Sequence, residues 1–404
     1  MPFHHRIRLR RAALGTAAAL MVLPVAACAG GSNDETSSPA GSDASQVAKT
    51  SKATISANVS DGSSDVAVDK LVQVSSTDGT FADVKVATLK GEPVAGALNA
   101  DKTRWTATDR LDSGRKYRIT ATAEDSDGLA KKYTSRFDAV SLAKSDEVYP
   151  SITPLDGATM GVGMPVSVHF DYPVANKKLF EQHMKVTSSA GQKGSWNWFD
   201  DQNVHYRPAG YWKPNQKVTV AVDVNSLPAG NGRYGQMDRT ISYDVSRNQV
   251  IKVNAASHQL QVFRDGKVIK TMPITTGKAG FTTRSGTKVI TEKYPTKRMN
   301  SETIGINPDS ADGYDLDDVK WAMRITNTGE FLHAAPWSVG SQGQANVSHG
   351  CTGMSTENAK WLYDHSIIGD PVEYTGTDRQ MTLTNGYGDW NDSWAEWQKG
   401  SALA

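Results

Sequence analysis

From about Thr50 to Asn248 the chain alternates apolar and polar side chains in short runs, interrupted by Gly, Pro, Asp and Asn. Phe81-Ala82-Asp83-Val84-Lys85-Val86, Tyr117-Arg118-Ile119-Thr120-Ala121 and Val166-Ser167-Val168-His169-Phe170 are examples, as are Lys217-Val218-Thr219-Val220-Ala221-Val222 and Thr240-Ile241-Ser242-Tyr243. A period of two with frequent turn residues predicts strands of antiparallel sheets, each burying one face. Trp105, Leu111, Lys116 and Ala121 recur as Tyr206, Trp212, Lys217 and Val222, each pair 101 residues apart. A unit of about 100 residues is the size of an immunoglobulin-like β-sandwich, so two such domains are expected, at residues 50–145 and 146–248. Trp196, Trp198, Tyr211 and Trp212 are expected to fill the second core and its domain interface, in preference to binding carbohydrate.

The pattern changes near Val250. Val250-Ile251-Lys252-Val253, Gln259-Leu260-Gln261-Val262-Phe263 and the run from Lys267 to Thr276 read as a β-meander, with Arg264-Asp265-Gly266 as a hairpin turn. One clear helix follows Cys351. Ser355 or Thr356 can cap it, Glu357 suits its positive end, and Ala359, Leu362 and Tyr363 form an apolar face. Trp390, Trp394 and Trp397 recur at helical spacing near the C-terminus, predicting a short helix that packs its indoles on the preceding domain. The expected class is therefore mainly β: two sandwiches, a β-rich third domain at residues 249–375, and an extension at 376–404.

The first 28 residues depart from this scheme. His4, His5, Arg6, Arg8, Arg10 and Arg11 form a positive segment ahead of the small, apolar run Ala12–Ala27. That run is shorter than the roughly 20 residues a spanning helix needs, so it reads as an export signal. Val25-Ala26-Ala27 before Cys28 resembles a bacterial lipobox, which makes Cys28 a lipidation site and places the protein outside the cell, anchored to the membrane and facing the wall. Residues 29–49 are rich in Gly, Ser, Asp and Ala and cannot bury a core. They are expected to form a flexible tether with a reach of roughly 25 Å. A net charge of +1 from 44 basic and 43 acidic residues leaves no electrostatic footprint for nucleic acid.

Only two cysteines are present. With Cys28 consumed by lipid, Cys351 has no disulfide partner, and an unpaired thiol in an exported protein is a candidate nucleophile. A thiol reacts as thiolate, and its ordinary pKa of about 8.5 leaves it mostly protonated at neutral pH. It needs an imidazole, and the imidazole needs an acceptor to set its tautomer. His333 and His349 are the nearby imidazoles, and Gly350 permits close backbone approach to a substrate. No HExxH or CxxC spacing accompanies them, so neither a metal nor another cofactor is expected.

His333-Ala334-Ala335-Pro336-Trp337 and Ser348-His349-Gly350-Cys351, with 14 residues between His333 and Ser348, strongly resemble the signature of the L,D-transpeptidases of the YkuD type. The resemblance extends over about Val250–Ala404 through Gly313-Tyr314, Val319-Lys320-Trp321-Ala322, His365, Gly369-Asp370 and Gly388-Asp389-Trp390. The lipobox and paired sandwiches resemble actinobacterial lipoprotein members. The resemblance implies Cys351 as nucleophile and His333 as general base and later acid. Ala334 stands where relatives often have serine, and its main-chain carbonyl is expected to orient the imidazole. His349 and Gly350 are implied on the oxyanion side, with His349 either catalytic or structural, and Tyr314 at the acyl group. Met299, Thr328 and Gly329 are implied in the substrate tunnel and its lid, with Trp337 bordering the cleft. Thr352-Gly353 departs from the usual apolar residue followed by Asn or Arg, so Gly353 removes a polar substrate contact. Thr283-Arg284-Ser285-Gly286 departs from the frequent Thr-Pro-x-Gly.

The implied partners are peptidoglycan stem peptides, a tetrapeptide donor and a diamino-acid acceptor, joined as 3→3 cross-links through a thioester. Carbapenem β-lactams are the implied inhibitors. Two alternatives share parts of this reading: an L,D-carboxypeptidase, in which water takes the place of the amine, and a non-catalytic wall-binding lipoprotein.

Overall fold

The computed structural model describes residues 49–404. The export segment, Cys28 and the tether up to residue 48 lie outside the described residues. In the first sandwich, strands Thr54–Ala57, Gln73–Thr77, Arg104–Ala107 and Gly96–Leu98 form one sheet in that spatial order, and Thr80–Thr88, Lys116–Glu124 and Ala130–Asp138 form the other. Strand Lys116–Glu124 shows why the sequence folds this way. Tyr117, Ile119, Ala121 and Ala123 point into the core while the intervening side chains point out.

The second sandwich repeats the plan. Its sheets are Gly194–Trp198, Asn203–Pro208, Val166–Phe170 and Pro150–Thr153 on one side, and Thr159–Met160, Arg239–Val245, Gln216–Val222 and Met184–Ser188 on the other. The repeated residues occupy equivalent places. Trp105 and Tyr206 are buried on strands, Leu111 and Trp212 are buried in the loops that follow, and Ala121 and Val222 are buried on the strands that carry Lys116 and Lys217. Trp196, Trp198 and Trp212 are core residues. Tyr211 faces the third domain, where its hydroxyl meets Glu373 Oε1 at 3.0 Å.

The third domain opens with the expected meander: Gln249–Asn254, Gln259–Arg264 and Lys267–Pro273 pair antiparallel. Asp265 and Gly266, with φ of 49° and 78°, make the primed turn that suits a two-residue hairpin. Pro371–Thr375 and Gly286–Val289 complete this sheet. A second sheet runs Glu292–Asn300, Asp315–Arg324, Phe331–Ala334, Thr352–Met354. Helix Thr356–His365 starts at Ser355, whose hydroxyl accepts the Asn358 N–H at 3.2 Å, and seals the core with Ala359 and Leu362.

The second and third domains meet backbone to backbone. Gly161 N–H donates to Ile368 O at 2.8 Å and Gly163 N–H to Gly369 O at 2.9 Å. A Cβ at residue 161 would fall 2.3 Å from Asp370 N, so only glycine allows this approach.

The C-terminal helix corrects an expectation. Trp394–Lys399 does not pack on the third domain but docks on the second sandwich. Trp397 is fully buried there; its indole N–H donates to Ser195 O at 3.0 Å, and its carbonyl accepts from Asn197 Nδ2 at 3.1 Å. The cause is Arg207, a buried guanidinium 4.5 Å from the Trp397 ring, 5.1 Å from Trp390 and 5.7 Å from Trp394. Indole faces satisfy a desolvated cation better than an apolar sheet would be served by them. Helical spacing revealed the apolar face but not the surface it covers. The preceding stretch does lie on the third domain, where Asn391 Oδ1 accepts from Thr287 N at 2.7 Å. Trp397→Ala is expected to lower the stability of the unfolding step containing the second sandwich by about 3–5 kcal/mol, read from urea denaturation by circular dichroism. A change below about 1 kcal/mol would show that the helix is only loosely attached.

Candidate active site

Strands Phe331–Ala334 and Thr352–Met354 run parallel, with Leu332 opposite Thr352, His333 opposite Gly353 and Ala334 opposite Met354. Leu332 and Thr352 face the core, where the Thr352 hydroxyl meets the Tyr374 hydroxyl at 2.7 Å. Side chains alternate across a strand, so Cys351, two residues before Gly353, shares the face of His333. The two line one cavity of about 360 Å³ together with Met299, Tyr314 and Trp337.

His333 is buried, and its Nδ1–H donates to the Ala334 carbonyl at 2.8 Å. This leaves Nε2 as the acceptor. Burial pushes the imidazole below its usual 6.5 against the opposing pull of that hydrogen bond, so the ring is neutral at physiological pH. Trp337, more than half exposed, stacks beside it with ring centroids 6.0 Å apart. Burial likewise pushes the Cys351 thiol up to about 11, with Glu330 adding to the rise and Lys288 and Arg324 opposing it. Its Sγ lies 3.5 Å from Gly329 O. The resting pair is a neutral thiol beside a neutral imidazole.

The turn before the cysteine is tied by two hydroxyls. Ser348 Oγ donates to Cys351 O at 2.6 Å and accepts from Gly350 N–H at 3.1 Å. Thr283 Oγ1 donates to Gly350 O and accepts from Gly277 N–H, both at 2.8 Å. Gly350 has φ of +119°, a conformation side chains disfavour. Its N–H is engaged by Ser348 Oγ in the resting site. The His349 ring packs against Phe281 and Tyr314, with centroids 4.6 and 5.3 Å away, and its Nε2 lies 3.7 Å from Asp312. Asp312 pairs with Lys278 at 2.6 Å, and His349 Nε2 makes no hydrogen bond, so the ring is held by its aromatic neighbours. Burial and Lys278 push its imidazole downward.

A second cavity, of about 220 Å³, reaches Cys351 from the other side past Thr328 and Gly329, and Met299 and Tyr314 line both. Asn385 clamps Thr328 from the C-terminal extension, accepting its N–H and donating to its hydroxyl, each at 3.0 Å. Gly329 takes φ of +93°. Gly353 is tied to Thr275 by reciprocal backbone hydrogen bonds of 2.9 Å. A Cβ there would sit 2.8 Å from the Ala335 methyl carbon and 3.1 Å from Thr275 Cγ2, so the neighbours have closed over the missing side chain. Met299, Thr328 and Gly329 thus line cavities that Cys351 also borders.

Sequence reasoning missed the supports. Phe281, Tyr374, Lys288 and Glu330 carried no motif, and Thr283 and Arg284 were noted only as a departure. His365 and Trp321 lie elsewhere: His365 stacks on Trp361 at 4.1 Å, and Trp321 packs on Tyr363 at 5.3 Å.

A β-rich domain that brings a thiol to the junction of two cavities, with a neutral imidazole lining the larger one, has the parts of a thiol acyltransferase. The L,D-transpeptidase catalytic domain model matches residues 248–373, and the bacterial Ig domain model matches residues 63–228. L,D-transpeptidase 2 of Mycobacterium tuberculosis (strain CDC 1551 / Oshkosh) is 35% identical over 351 residues, which cover 87% of this chain and 85% of that protein. L,D-transpeptidase 5 of Mycobacterium tuberculosis (strain ATCC 25618 / H37Rv) is 36% identical over 351 residues, covering 85% and 76%. Among solved structures, that of the LD transpeptidase LdtMt1 in complex with imipenem is 34% identical with a TM-score of 0.50, covering 57% of this chain and 99% of that one. The chain belongs to the L,D-transpeptidase family. It is an L,D-transpeptidase of cell-wall synthesis, with an Ig-like region ahead of the catalytic domain.

The neutral resting pair has a direct signature. Alkylation by iodoacetamide, followed by mass spectrometry of the peptide carrying Cys351, is expected to be slow at pH 7 and to keep rising beyond pH 9. A plateau reached below pH 8 would reveal a preformed thiolate and imidazolium pair.

Proposed function

We propose that this enzyme forms 3→3 cross-links between peptidoglycan stems, with Cys351 as nucleophile and His333 as general base and acid. The observation that carries this reading is the strand register that puts both side chains on one face while the Ala334 carbonyl holds Nδ1–H. As Cys351 Sγ attacks the carbonyl of the third stem residue, its proton passes to His333 Nε2. Collapse of the tetrahedral adduct breaks the C–N bond to the terminal D-alanine, whose amine leaves with the proton from the imidazolium. The side-chain amine of a second stem then gives a proton to His333 and attacks the thioester. The C–S bond breaks, and the imidazolium returns a proton to sulfur.

Two cavities meeting at the sulfur suit a reaction in which donor and acceptor approach from separate directions. Tyr314, Met299, Trp337 and Gly353 are assigned to the larger one, and Thr328 and Gly329 to the smaller. His349 acts as a wall residue packed between Phe281 and Tyr314 rather than as an acid or base. Carbapenems acylate Cys351 in this reading, in keeping with the imipenem complex of the related enzyme. Export and lipid anchoring through Cys28 rest on the N-terminal pattern, with the sandwiches as spacers toward the wall.

Cys351→Ser is expected to abolish both the carbapenem mass increment of the intact protein and cross-linked dimers in a muropeptide assay; persistence of either rejects the assignment. His333→Gln is expected to slow acylation by about 10²–10⁴. Because burial holds His333 below 6.5, the wild-type acylation rate should fall only on the acid side of that value and stay level above it through pH 8. An acid limb centred well above 6.5 would contradict the role of a neutral imidazole.

A further inference from the structure

Beneath the reactive turn lies an ionic row that the transpeptidation chemistry does not use. Lys288 is fully buried and Glu330 nearly so. Lys288 Nζ hydrogen-bonds Glu330 Oε2, while Arg284 donates to Glu330 Oε1 through both Nη1, at 2.9 Å, and its backbone N–H, at 3.2 Å. We propose that Lys288, Glu330 and Arg284 are positioning residues for Cys351, fixing the peptide on both sides of the sulfur and supplying the charge that the developing thiolate faces.

The connections run to both neighbours of the cysteine. On one side, Thr283, adjacent to Arg284, holds the Gly350 carbonyl at 2.8 Å. On the other, the Lys288 ammonium sits 3.7 Å from the centre of the Tyr374 ring, and the Tyr374 hydroxyl meets Thr352 Oγ1 at 2.7 Å. Glu330 also directly precedes the strand that carries His333, and a Cβ on Gly350 would lie 3.8 Å from Glu330 Cγ. One carboxylate therefore ties together the strand of the base, the turn of the nucleophile and the strand behind both.

A buried ion pair is poor at adding stability, because desolvation offsets most of the attraction and well-packed apolar residues often do as well. Its placement under the reacting sulfur calls for another purpose. Two cations against one carboxylate leave a net positive charge below the site. The groups facing Cys351 are Glu330, Lys288, Arg324, Tyr314, Tyr374 and His333. Glu330 disfavours negative sulfur, whereas Lys288 and Arg324 favour it. Burial lowers Lys288 to about 8, so it remains cationic at neutral pH and loses its charge on the alkaline side.

The test is the rate constant of Cys351 alkylation by iodoacetamide in the full chain at pH 7, where Lys288 still carries its charge, read on the Cys351 peptide, with circular dichroism checking the fold. Lys288→Met is expected to lower this rate and Glu330→Gln to raise it, each by about tenfold. Lys288→Arg should restore the wild-type rate. A merely structural role would slow or speed both single variants alike, without opposite displacements. If a single variant fails to fold, the Lys288→Met/Glu330→Gln pair, which keeps the net charge, serves as background, and adding Arg284→Met to it must lower the rate. Displacements of one sign, or an unchanged rate in folded variants, overturn the proposal.

Discussion

The active site depends on the short parallel pairing between the strand of His333 and the strand that begins just after Cys351. Parallel neighbours hold residues in a fixed stagger, and a one-residue slip would turn one of the two side chains into the core. The register is defended on the core side by Leu332 and Thr352 and on the far edge by the reciprocal bonds between Gly353 and Thr275. Nucleophile and base come from segments separated by a long loop, yet neither has to search for the other.

That pairing also explains why both reacting groups rest uncharged. Burial, complete for the imidazole and partial for the thiol, raises one pKa and lowers the other. Neither alone is an efficient ion, and proton transfer is coupled to attack instead of preceding it. The site stores no thiolate for adventitious oxidants, and it still has a base ready when an acyl group arrives.

Much of this was legible from residue order. Alternation gave the sandwiches and the meander, Asp265-Gly266 gave the hairpin, Ser355 gave the helix start, and the spacing of Trp105 and Tyr206 gave the duplication. Motif spacing located His333 and Cys351. What stayed hidden were relations between distant stretches. Lys288, alternating with small and apolar neighbours in Gly286–Val289, reads as a solvent-facing position, and its partner Glu330 lies far along the chain, just ahead of another strand. The tryptophans of the tail announced a buried face but not that Arg207 would be the centre of what covers it. Nor does residue order show that the Ser348 hydroxyl holds the Gly350 N–H in the resting site.

The catalytic domain is fastened to the second sandwich at both of its own ends. It enters directly after strand Arg239–Val245, and it leaves through a segment that returns to the Arg207 surface, with the Gly161 and Gly369 backbones locked between. Such a double fastening removes the hinge that a single connecting peptide would provide. The direction in which the cleft opens is then a property of the pair of domains, and lineages that need to redirect it must remodel three separated stretches together rather than lengthen one linker.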